Sequence, residues 1–120
     1  FLLKDVPYWV AMHLVRHHVG CQPYVRTQRN DRQDGYDRTK APQDAPVDMM
    51  WSINADALLT IANKRLCTMA AKETRQVVQQ MCALVSASNP EFIPFLVPMC
   101  EYHGGVCHEF NGCGKCPEAD

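Results

Sequence analysis

The sequence predicts a mainly α-helical chain with a long irregular loop and a Cys-rich tail. Three observations lead there. Apolar residues recur at helical spacing over two long stretches. A polar segment punctuated by Gly35, Pro23, Pro42 and Pro46 runs from Gly20 to Met50. Cys100, Cys107, Cys113 and Cys116 crowd the last 21 of 120 positions. A chain of this length fits one domain with its own core, so we divide it into a principal domain, 1–98, and a tail, 99–120.

Near the start, Asp5 is the expected N-cap of a helix over Asp5–His18. Pro7 falls in its first turn, where a missing N–H costs nothing. Val6, Val10 and Leu14, with Trp9 beside them, follow helical spacing, and Gly20 and Pro23 end the pattern. Gly20–Met50 reads as a functional loop or a disordered one. From Arg16 to Lys40 it carries Arg16, Arg26, Arg29, Arg32, Arg38 and Lys40 against Asp31, Asp34 and Asp37. Six cations less three anions leave +3 in a chain of net charge -1. Such a surplus suits a small phosphorylated ligand, and it also suits a plain solvated loop. Met49-Met50-Trp51 reads as core.

Asn54 is a second expected cap, followed by the stripe Leu58, Leu59, Ile61, Ala62 and Leu66. A further helix is predicted from about Met69 to Ala87, with Thr74, Val77, Val78, Met81, Leu84 and Val85 on one side. Asn89-Pro90 opens a short third helix, Pro90–Leu96, by the same cap-then-proline logic. Residues 99–120 show no periodicity.

Composition excludes several classes. Hydrophobic residues at 47% and charged residues at 21% are those of a globular protein, not of a disordered or coiled-coil chain. The net charge of -1 lacks the basic surplus of a nucleic-acid binder. No apolar run approaches the roughly 20 residues that span a bilayer. Phe1–Val19 is broken by Lys4, Asp5, His13, Arg16, His17 and His18, so it reads as neither signal peptide nor membrane span. The opening at Phe1, without methionine, reads as a fragment or a processed chain. Seven cysteines, an odd number, argue against a complete disulfide framework. Cys67 and Cys82 sit in apolar helical surroundings as small core residues. We therefore expect a reducing, cytoplasmic setting.

Several groups carry potential chemistry. Arg16-His17-His18 cannot share one helix face, since neighbours lie about 100° apart. They suit a helix end, fanned around a ligand or offsetting the helix dipole. Asn54 and Arg65 lie three turns apart on nearly one face. An amide and a forked cation suit a planar carbonyl edge or a phosphate, and they equally suit a cap and a surface arginine. In the tail, Cys113-Gly114-Lys115-Cys116 is a C-x2-C pair without a second pair. Cys107, Cys113, Cys116 and His103 are weak candidates for structural zinc, and free thiols with a redox pair are the other reading.

Taken together these segments resemble the flavin-dependent thymidylate synthases, the thymidylate synthase complementing protein family. Arg16-His17-His18 through Cys21, then Thr27-Gln28-Arg29, is similar to that family's Arg-His-Arg signature and its Ser-x-Arg end. Here His18 stands for the second arginine and Cys21 for the serine. Trp51-Ser52-Ile53-Asn54-Ala55 through Asn63-Lys64-Arg65 matches Trp-x-x-Asn-Ala…Asn-x-Arg without a gap. Glu73-Thr74-Arg75 follows where the family has Glu-x-Arg, and Arg38-Thr39-Lys40-Ala41-Pro42 sits where it has Arg-x-x-Leu-Pro.

The resemblance implies an α+β fold for the intact family, of which this segment is the mainly helical part. It implies reductive methylation of dUMP to dTMP, with FAD as cofactor and NADPH and methylenetetrahydrofolate as co-substrates. It implies a homotetramer with sites at subunit interfaces. It assigns Arg16, His17, His18 and Asn54 to the flavin, Arg29 and Arg38 to the phosphate side of the nucleotide, and Arg65 to the pyrimidine ring as the catalytic cation. The alternatives are a non-catalytic flavin- or nucleotide-binding homologue, and a small zinc-stabilised interaction module built on the tail.

Overall fold

The computed structural model describes residues 1–26 and 34–119. The chain forms two compact units, Phe1–Ile53 and Asn54–Asp120. The fold is α+β, with four helices and one three-stranded antiparallel sheet among the described residues, about 40% helical and 19% strand.

The first unit holds the sheet. Strand β1 (Leu2–Pro7) leads into helix α1 (Tyr8–Leu14); strand β2 (Cys21–Val25), a 3-10 turn (Arg38–Lys40) and strand β3 (Pro46–Ile53) follow. The order is β1-β3-β2, so β3 is paired on both sides. Its side chains alternate as a pleated strand requires. Val47, Met49 and Trp51 are buried, while Pro46, Met50 and Ser52 are exposed. Met50 therefore faces out, opposite Leu2 and Tyr24 of the flanking strands, and does not join Met49 and Trp51 in the core. Pro23 is tolerated because β2 lies at the sheet edge, where a missing N–H breaks no ladder bond that is needed.

Asp5 is not a helix cap. It lies inside β1 with φ 52°, at the irregularity between Leu3 and Val6. Its N–H donates to Asp48 Oδ1 at 3.1 Å. The extra residue resets the strand's alternation, so that Leu3 and Val6, an odd number of positions apart, both reach the core. The helix predicted over Asp5–His18 thus begins at Tyr8, with Pro7 as its N-cap, and ends at Leu14. Within the predicted loop the structure has β2 and most of β3, because both pair into the sheet.

The second unit is helical. Helix α2 (Ala55–Arg65) is capped by Asn54, whose Oδ1 accepts from the Ala57 N–H at 2.8 Å. Helix α3 (Lys72–Ser88) packs against it, burying Thr74, Val78, Met81 and Cys82. The segment expected as a helix over Pro90–Leu96 is a 3-10 turn of three residues, Pro90–Phe92, and a short helix α4 (Met99–Tyr102) opens the tail. Pro94 ends the turn early, since its ring has no N–H to extend the ladder. Among the described residues no helix is long and apolar enough to cross a membrane.

Met81 is 1% exposed and Leu84, one turn on, is 66% exposed. Met81→Ala should lower the unfolding free energy by about 2–5 kcal/mol in urea titration. Leu84→Ala should change it by no more than about 0.5 kcal/mol.

Candidate functional site

The sequence-predicted residues divide between the two units. Arg16, His17 and His18 occupy the turn that leaves α1, with Arg16 and His18 exposed and His17 half-buried. The turn is tied by its own groups. His18 Nδ1 lies 3.1 Å from the Arg16 carbonyl, and the Cys21 thiol donates to the His17 carbonyl at 2.8 Å. Cys21 thereby makes a bond that a serine hydroxyl would make at this position, through a weaker donor. The His17 ring packs at 6.4 Å from the ring of Trp51. Trp51 is fully buried, and its indole Nε1 has no hydrogen-bond partner among the described residues.

The basic loop is partly consumed by ion pairs. Arg26 meets Asp48 at 3.4 Å and Lys40 meets Asp37 at 3.5 Å. Arg38 is exposed and opens the 3-10 turn that Asp37 caps. Arg29 and Arg32 lie outside the described residues. The Thr39 hydroxyl and then the Thr39 N–H, both bonded to Asp37, hold its carboxyl below the ordinary 3.8. A depressed carboxylate contributes fully above 3.8 and loses its contribution as pH falls through the lower folded value. The Thr39 amide resonance should therefore titrate with a midpoint below 3.8, and should not titrate there in Asp37→Asn.

In the second unit, Asn54 and Arg65 bracket α2, one as its cap and the other as its last residue. Eleven residues at 1.5 Å rise separate them by about 16 Å along the axis. They share a helix but stand at its opposite ends. Arg65 is half-buried, at the end where carbonyl dipoles favour a cation.

Asn63, between them, is a residue the motif contains and our site assignment omits. It is 6% exposed, and its Nδ2 donates to the Val97 carbonyl at 2.8 Å and, at 3.5 Å, to that of Phe95. A polar residue inside the apolar stripe was the signal. Arg75 does similar work, its Nη1 donating to the Thr68 carbonyl at 3.1 Å and reaching Ala70 at 3.5 Å. Together they fix the two loops that flank the end of α2.

In the tail, Cys107, Cys113, Cys116 and His103 line one cavity of about 400 Å³, with Cys67, Cys100 and Thr68. All seven cysteines are free. Among the described residues no three His, Cys, Asp or Glu side chains are grouped so as to hold a metal ion.

Removing the Asn63 amide would strand two carbonyls. Asn63→Ala should cost about 1–3 kcal/mol in denaturant titration. Amide exchange should rise at the Phe95–Val97 segment before it rises in α3.

No curated protein matches the chain. Residues 36–91 match the family model described as thymidylate synthase complementing protein. That span holds Arg38 in the first unit, Asn63, Arg65 and Arg75 in the second, and the Trp51–Arg65 motif that runs from one into the other. It supports a thymidylate synthase-type function, and it is the family that the motifs resemble. Residues 36–91, just under half of the chain, are thus similar to the thymidylate synthase complementing proteins.

Proposed function

We propose that the protein takes part in the reductive methylation of dUMP to dTMP, with FAD as cofactor and NADPH and methylenetetrahydrofolate as co-substrates. The observation that carries this is the gapless Trp51–Arg65 motif, laid out as a strand end, a capped helix and a cation on that helix's last residue. It falls wholly inside the matched span.

The residues present fit a flavin nucleotide in their donor chemistry. Arg16 and His18 are exposed on a tight turn, where the Arg16 guanidinium offers N–H donors to an anionic diphosphate. Bound FAD supplies the hydride chemistry; the chain supplies binding and electrostatics. Arg38 is the exposed cation for the nucleotide phosphate, joined by Arg29. Arg65, a planar forked donor, binds the pyrimidine edge and stabilises charge as it develops on the ring.

One chain offers few of these groups, and they are spread over two units. We therefore propose a homotetramer whose interfaces complete the sites. Free thiols throughout accord with a cytoplasmic setting.

Arg65→Ala should weaken dUMP binding by calorimetry and depress dTMP formation by roughly 10²–10³, the loss typical of one preorganised donor. Arg65→Lys should not restore it, since an ammonium lacks the planar fork. A melting curve of each variant separates loss of chemistry from loss of fold. Parent-like binding and turnover in Arg65→Ala would sink this assignment. Binding of dUMP without turnover in the parent itself would favour the non-catalytic homologue, with His18 and Cys21 as the first positions to change.

A further inference from the structure

The cavity in the second unit is lined by five of the seven cysteines, Cys67, Cys100, Cys107, Cys113 and Cys116. Nothing in the proposed methylation uses them. Their environments differ sharply. Cys107 is buried, clasped by a backbone bridge to Glu118 and closely approached by Gly112, where a Cβ would meet its sulfur at 3.0 Å. Cys100 and Cys116 are half-buried and line the same cavity. Cys113 alone of the four tail cysteines is exposed. It lines the cavity together with Thr68 and Lys115. Gly114, at φ 75°, turns the chain tightly between Cys113 and Cys116, a conformation a side chain would strain.

We propose that Cys113 and Cys116 are a redox-sensitive pair, in which hydrogen peroxide oxidises Cys113 and Cys116 then closes a reversible disulfide with it.

The chemistry balances. The Cys113 thiolate attacks a peroxide oxygen: an S–O bond forms, the O–O bond breaks, and the departing hydroxide takes a proton to leave as water. Sulfur is oxidised to the sulfenic acid by two electrons, and the peroxide is reduced by two. Cys116 then gives up its proton and attacks the Cys113 sulfur. An S–S bond forms, the S–O bond breaks, and hydroxide leaves with that proton as a second water. A dithiol reductant reverses the pair by thiol exchange.

The division of labour follows from the surroundings. The Thr68 hydroxyl first, then the Lys115 backbone and charge, hold the Cys113 thiol below its ordinary value, which favours the nucleophilic thiolate. Cys116 is pushed up, first by its hydrogen bond with Cys100, and stays protonated until the sulfenic acid arrives. Cys82, buried in α3 and raised to about 11 by desolvation, is the internal control that should not react.

The test uses the full chain, reduced and then treated with hydrogen peroxide. Glutamate-specific digestion separates Cys100, Cys107 and the 110–118 peptide, which holds both Cys113 and Cys116. The expected product is that peptide lighter by two hydrogens, restored by dithiothreitol. Cys116→Ser should accumulate a sulfenic acid at Cys113, trapped by dimedone. Cys113→Ser should abolish the disulfide and the trapping. A link between Cys100 and Cys116, dimedone on Cys107, or no reaction at peroxide levels that oxidise free cysteine would each overturn the proposal. So would stoichiometric zinc in the reduced protein by elemental analysis. A melting curve of each variant shows that its tail remains folded. The inference stands apart from dUMP chemistry, so failure of one leaves the other intact.

Discussion

The pleat of β3 is the constraint on which the first unit depends. This strand pairs on both sides, so its register fixes β1 and β2 together. A slip of one residue would turn Val47, Met49 and Trp51 outward and draw Asp48, Met50 and Ser52 into the core. Asp48 guards against that slip. Its carboxylate accepts from the Asp5 N–H and pairs with Arg26, and its own carbonyl accepts from the Arg26 N–H at 2.8 Å. One side chain thus ties both neighbouring strands to the central one. The chain leaving β3 passes directly into the Asn54 cap.

The two long helices were legible from their apolar period, and α2 from its cap as well. Asn54 marked the start of α2 and Leu58, Ile61 and Ala62 its buried face, while Thr74, Val78 and Met81 gave α3 its buried stripe. The strands were hidden for separate reasons. The left-handed Asp5 breaks the alternation of β1, so Val6, Val10 and Leu14 read as one helix. Pro23 disguises β2, because a proline is acceptable only at an edge that sequence does not reveal. In β3 the solvent-facing Met50 fills the gap between two buried residues and makes an alternating strand resemble an apolar run.

The site was legible in type more than in arrangement. Its motif residues could be named and the three-turn spacing of Asn54 and Arg65 counted, but that Arg65 is the last residue of α2 follows only once the helix bounds are known. Asn63 escaped notice because its work is done on carbonyls more than thirty positions away. The convergence of the tail cysteines on the α2–α3 connection had no sequence signal either, since turns carry no period. What the geometry adds is a shared piece of backbone. Thr68 lines the cavity beside Cys113 and holds Arg75 through its carbonyl, three residues beyond Arg65.

The order β1-β3-β2 also bears on how the chain acquires its structure during synthesis. The first strand has no partner until the third emerges, and the ladder closes between Phe1 and Trp51, residues 50 positions apart. At about 5–20 residues per second, β1 waits on the order of seconds with Leu2, Leu3 and Val6 exposed. In the second unit α2 and α3 are neighbours in the chain and can pair as soon as both have emerged. The nascent protein is therefore most vulnerable to strand-to-strand association early, before β3 appears. Lys4 and Asp5, charged residues on that waiting edge, are the kind of side chain that discourages it.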